Sequence, residues 1–160
     1  MKPIMLATDG SPTAEEATKK AIELAKLFEA ELLIVTAWDI PYSTLGYAAL
    51  PVNGDLMKGA EDQAKKVARE AAATAKAEGI SAQTVVLRGF PVEEICAAAT
   101  KFEPELIVLG SHGWGAMKRM VFGSVSTGVL HHTSVPVLVV PAPAADGTRK
   151  GEEAREEVTA

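Results

Sequence analysis

Four uninterrupted apolar runs constrain this chain more than any other feature: IMLAT (4–8), ELLIVTAW (31–38), ELIVL (105–109) and VPVLVV (135–140). None has the polar alternation of a strand with one wet face, so each predicts a strand covered on both sides. A shorter run, TVVL (84–87), predicts a fifth strand. The intervening segments change period. Ser11 followed by Pro12 reads as a helix N-cap with proline at the first helical position, and Ala14, Ala17, Ala21, Leu24 and Phe28 then recur at helical spacing. A second helix is expected from near Asp55, with Ala60, Ala64, Val67, Ala71 and Ala75 on one face and a stop at Gly79. Pro91 opens a third through Val92, Ile95 and Ala99, and a fourth is expected over 124–132.

The alternation β-α-β-α-β-α-β-α-β implies a parallel sheet with helices on both faces, and right-handed crossovers make it a doubly wound α/β fold. Periodicity does not set the strand order. An order of 3-2-1-4-5, however, brings the end of the first strand (TDG) beside the end of the fourth (GSHG), at the reversal of winding where such folds bind ligands.

At 160 residues the chain suits one domain with a real core. A net charge of -5 argues against a general nucleic-acid surface. No apolar run approaches the roughly 20 residues that span a bilayer. The N-terminal MKPIMLATDG lacks the apolar core of a signal peptide, and the single Cys96 has no internal disulfide partner, so a cytoplasmic location is expected. The last stretch, 142–160, is poor in large apolar residues and mixes both charge signs, which predicts a flexible tail behind a domain over 1–141.

The functional signal lies in GSHGWGAMKRMVFGSVSTG (110–128), which holds five of the 13 glycines. Glycine at the end of a buried strand permits positive φ and close approach of a ligand, and this predicts an open loop through Gly110, Gly113 and Gly115. Gly123 and Ser124 then begin a helix whose first turn offers unpaired N–H groups to an anion, with Ser124 and Ser126 adding hydroxyls. A polyphosphate suits that cup.

Gly110, Gly113, Gly123 and Ser124 fit the pattern G-x2-G-x9-G-[ST], which resembles the nucleotide-binding motif of the universal stress protein family. ATDGSPTAEEA, LIVLGSHG and GSVSTGVLHHTSVPVLVVP extend the resemblance over most of the chain. It implies a five-stranded sheet of order 3-2-1-4-5, akin to the adenine nucleotide alpha-hydrolases, a homodimer formed through the last strand (135–140), and the ATP-binding branch. Carried over residue by residue, it implies Ala7, Thr8 and Asp9 after the first strand near the nucleotide and Val35 beside the adenine. Leu109, Gly110, His112 and Gly113 are implied along the ribose and phosphates, and Gly123, Ser124, Val125 and Ser126 around the triphosphate. Asp9 is also the candidate ligand for Mg²⁺, which favours carboxylate and phosphate oxygens.

Structural readings stand beside these. Asp9 can begin an Asx turn. His131 and His132 suit the last turn of a helix, where positive charge complements the dipole. Lys118 and Arg119 either screen phosphate or form a solvated face, and Cys96 reads as a packed small hydrophobe. Trp38 and Trp114 either wall an adenine pocket or pack in the core. The long connection over 39–54 predicts a lid or partner-contact segment. The Walker sequence G-x-x-x-x-G-K-[ST] is absent, and no general base emerges from spacing. The expected function is an ATP-binding stress or signalling module with slow or no hydrolysis and an unknown protein partner. The alternatives are an interaction module that holds no nucleotide, or a weak ATPase. A receiver-like switch is excluded by the strand ends LRG and VVP, and TDGSPT is a poor phosphate loop for an ATP pyrophosphatase.

Overall fold

The computed structural model describes residues 2–39, 54–112 and 122–142. The elements run β1 (Ile4–Ala7), α1 (Pro12–Phe28), β2 (Leu32–Trp38), α2 (Gly54–Ala77), β3 (Ala82–Arg88), α3 (Pro91–Phe102), β4 (Leu106–Gly110), α4 (Ser124–His132) and β5 (Val137–Val140). The strands form one parallel sheet in the order β3-β2-β1-β4-β5, with Met5 level with Leu33 on one side and Ile107 on the other. The doubly wound fold and its strand order are as the sequence implies.

Helix starts follow local chemistry. Ser11 Oγ accepts the Ala14 N–H at 3.3 Å and Pro12 occupies the first turn of α1. Pro91 opens α3 in the same way, although its N-cap, Phe90, has no side-chain acceptor. Alternate strand residues feed two cores. Ile4, Leu6, Leu32, Ile34 and Val108 pack under alanines of α1 and α2, while Met5, Ala7, Leu33, Val35, Ile107 and Leu109 meet Ile95, Ala98 and Ala99 of α3 and Val129 of α4. Alanine on the buried helix faces lets the backbones lie close to the sheet.

The edges depart from the sequence reading. β3 is longer than TVVL, and several of its residues are exposed because it lies at an edge. β5 begins at Val137 rather than Val135. The Val135 N–H turns back to Thr133 Oγ1 at 3.1 Å, and Pro136 lacks an N–H, contributing only its carbonyl to Ile107 N at 2.9 Å. Thr8 lies past the end of β1, though its N–H still bonds Val35 O at 3.0 Å. No helix among the described residues is long and apolar enough to cross a membrane. The connection over 40–53, Trp114, Gly115, Lys118, Arg119 and the tail from 143 lie outside the described residues.

Candidate functional site

A cavity of about 670 Å³ opens beyond the carboxyl ends of β1, β2 and β4, where the winding reverses. Its floor is made by Ala7, Val35 and Leu109, the last buried apolar residues of three adjacent strands. Ala37, Pro91 and Ile95 extend this apolar surface. Ala37 follows from strand alternation, since it shares a face with Val35. Pro91 and Ile95 join only because α3 crosses to that side of the sheet.

The rim is polar. Thr8 Oγ1 accepts the Gly10 N–H at 3.2 Å and Asp9 Oδ1 accepts the Ser11 N–H at 3.0 Å, an Asx turn that aims the chain from β1 into α1. Gly10 has φ of +74°, and a Cβ there would stand 2.9 Å from Val67 Cγ2, so conformation and packing both call for glycine. Asp9 itself is exposed and is the one carboxylate lining the cavity among the described residues.

Gly110 ends β4, and Ser111 and His112 follow it along the rim. Gly110 corrects the sequence argument: it is not among the glycines with positive φ, and a Cβ would meet the Thr13 carbonyl carbon and Oγ1 at 2.9 Å. Close packing of the first turn of α1, rather than ligand approach, excludes a side chain here. The Ser111 hydroxyl lies 2.9 Å from His112 Nδ1 and fixes the ring. Ser111 was missed in the sequence, although it stands between two residues of the motif.

The fourth wall is the start of α4. Gly123 is its N-cap, at φ of -77°, and has no side chain with which to cap the helix. Its own N–H bonds Ser111 O at 2.6 Å, and Thr127 N returns to Gly123 O at 3.0 Å. The amides of Ser124, Val125 and Ser126, which all line the cavity, therefore have no acceptor within the helix. Ser126 is buried, and its hydroxyl reaches Ser111 O at 3.1 Å and Gly123 O at 3.0 Å, so it anchors the helix instead of standing open to a ligand. α4 has no acidic residue in its first turn, whereas α1, α2 and α3 each have at least one. This leaves the positive end of its dipole unopposed locally. Phe122 and Thr127 complete this side.

Eleven of the twelve residues expected at the site thus line one cavity, and Gly113 lies outside the described residues. Trp38 is not among the lining residues and instead carries the Arg88 guanidinium 5.7 Å over its ring. His132 Nδ1 donates to Gly128 O at 2.7 Å, a cap at the end of α4. Cys96 packs against the α3 side of the core, and burial pushes its thiol pKa up. No group of three or more potential metal ligands occurs among the described residues.

The chain matches the model of the Universal stress protein family over residues 1–141. It is 34% identical over 148 residues to a universal stress protein of Methanocaldococcus jannaschii, covering 89% of this chain and 83% of that one. Among solved structures, the universal stress protein UspA from Lactobacillus plantarum superposes with a TM-score of 0.74 at 25% identity, covering 87% of this chain and 97% of that one. A universal stress protein in complex with cAMP superposes with a TM-score of 0.65 at 27% identity, covering 89% and 98%. With the strand order, the glycine spacing and the match along residues 1–141 in agreement, this chain belongs to the universal stress protein family.

Proposed function

We propose that the cavity holds an adenine nucleotide, ATP foremost, with the base in the apolar slot and the phosphates against the start of α4. The observation that carries this reading is the meeting of two surfaces in one space: three amides at Ser124, Val125 and Ser126 with no acceptor within their helix, and an apolar wall of Val35, Ala37 and Ile95. A volume of about 670 Å³ falls in the range of small-molecule sites. The cAMP complex of the relative described above supports an adenine-bearing ligand in this fold. Asp9, at the rim, suits a Mg²⁺ ion carried by the phosphates, because Mg²⁺ typically takes one or two carboxylates and leaves its other positions to phosphate and water.

Occupancy, rather than turnover, is the proposed output. The sequence lacks the Walker lysine, and the amides of a helix stabilise a bound phosphate without activating water. The protein then acts as a cytoplasmic stress or signalling module over residues 1–141, with a tail over 142–160, and works as a homodimer through β5. Bound nucleotide biases its contacts with a protein partner.

The test is mass spectrometry of nucleotide released from freshly purified protein, with ATP titration calorimetry with and without Mg²⁺. Co-purified or titratable ATP is expected. A protein that carries no nucleotide and gives no heat with ATP, ADP, AMP or cAMP overturns the reading in favour of an interaction module.

A further inference from the structure

The two peptide carbonyls that follow β4 are held from opposite sides of the sheet reversal. Ser111 O accepts from Gly123 N and Ser126 Oγ, both at the start of α4. His112 O accepts from the hydroxyl of Thr13, in the first turn of α1. The Ser111 N–H is also spent, on Val140 O of β5 at 2.7 Å. One dipeptide therefore joins α1, α4 and the edge strand.

Counting protons gives the direction of the α1 bonds. Thr13 has one hydroxyl proton, and a carbonyl can only accept, so that proton goes to His112 O. In the 3.3 Å contact between the Ser11 and Thr13 hydroxyls, Ser11 is then the donor, its one proton shared between Thr13 Oγ1 and His112 O, which lies 3.5 Å away. Ser11 Oγ in turn accepts the Ala14 N–H, which gives a chain from Ala14 N–H through Ser11 and Thr13 to the His112 carbonyl. Ser11 and Thr13 are both buried, so water does not replace a lost link cheaply. Thr13 is also pressed against the end of β4 at Gly110, which fixes its distance from the rim. Neither Ser11 nor Thr13 lines the cavity.

We infer that Thr13 is a positioning residue for the phosphate end of the cavity. Its hydroxyl sets the orientation of the His112 carbonyl, hence of the Ser111 peptide, hence of the Gly123 amide and the open amides that follow it. The functional consequence rests on the nucleotide reading above, whereas the bonding relay does not.

The experiment compares Thr13→Val, which keeps the shape and removes the donor, with Thr13→Ser, which restores it. Amide hydrogen exchange in nucleotide-free protein is read by NMR, followed by titration with ATP and with adenosine. In Thr13→Val the protection of the Gly123 amide should fall about tenfold while strand amides keep theirs, and ATP affinity should fall about tenfold with adenosine affinity unchanged. Thr13→Ser should stay within about twofold of the parent. Should Thr13→Val fail to fold, Thr13→Ala removes the same donor without adding a methyl group where the hydroxyl stood.

Loss of Gly123 protection in a protein that binds no nucleotide upholds the relay and sinks the nucleotide reading alone. Unchanged protection and unchanged ATP affinity overturn the inference even where the parent binds ATP. An equal loss of protection at every amide also overturns it, because Thr13 would then serve only global stability.

Discussion

The amide of Gly123 donates to the carbonyl of Ser111 at 2.6 Å, so the residue that opens α4 is bonded directly to the residue just past β4. A Cβ on Gly123 would stand 3.0 Å from that carbonyl oxygen and 3.4 Å from His112 Cα. The φ of -77° suits any residue, so the obstacle is packing alone. Gly123→Ala should therefore fold, lose about 1 kcal/mol by overpacking and bind ATP about tenfold more weakly as the open amides shift. Calorimetry beside urea denaturation checks both figures. Undiminished ATP binding would mean that the first turn of α4 does not set affinity.

Gly110 makes the opposite prediction. Its hypothetical Cβ collides with backbone, the Thr13 carbonyl carbon at 2.9 Å and the Ala14 nitrogen at 3.0 Å, which cannot rotate away. Gly110→Ala should cost about 1–3 kcal/mol of stability, more than Gly123→Ala. Urea midpoints of the two variants rank them, and the reverse order would refute the packing argument.

These two glycines show where the sequence was informative. The apolar runs, the Ser11–Pro12 cap and the alanine periodicity marked the strands and the first two helices, because local spacing decides which face of a segment is dry, while Pro91 and Gly123–Ser124 marked the starts of the other two. The 3-2-1-4-5 order came from the family resemblance, since pairing between strands leaves no trace in period. The motif glycines were legible as a pattern, but the reason for Gly110 was not: its neighbour is Thr13, reached only when α1 docks on β4. Ser11 is legible as a helix cap, but the task that it and Thr13 share at His112 O lies about a hundred residues away in the chain. The late start of β5 was implicit in Pro136, which cannot donate to a neighbouring strand.

Thr36 is buried on β2, and its hydroxyl has no hydrogen-bond partner among the described residues. An unsatisfied buried hydroxyl is a standing cost, and valine has nearly the same shape. Thr36→Val should raise stability by about 1 kcal/mol and leave ATP affinity unchanged, because Thr36 is absent from the cavity lining. Lower stability in urea would show that the hydroxyl has a partner in solution.

β5 lies at the sheet edge, and all four of its residues are only half-buried. An edge strand of this kind offers unpaired backbone groups and apolar side chains to a second copy, and a lysine blunts such pairing. The parent should scatter as a dimer at micromolar concentration and Val139→Lys as a monomer. A monomeric parent would contradict the homodimer.

The proposed orientation of the nucleotide makes the last prediction. Ala37 lines the cavity beside Val35, on the wall away from the start of α4. Leucine at this position fills the apolar slot with three further carbons and leaves the amides of Ser124 and Val125 untouched. Ala37→Leu should weaken adenosine and ATP by about tenfold or more, since an overfilled slot excludes the base, while inorganic triphosphate binds as in the parent. Ala37 is only partly buried, so stability should change little. Parallel titrations with adenosine, ATP and triphosphate separate the ends. Loss of triphosphate with retained adenosine would reverse the assignment, putting the base at α4 and the phosphates against Val35.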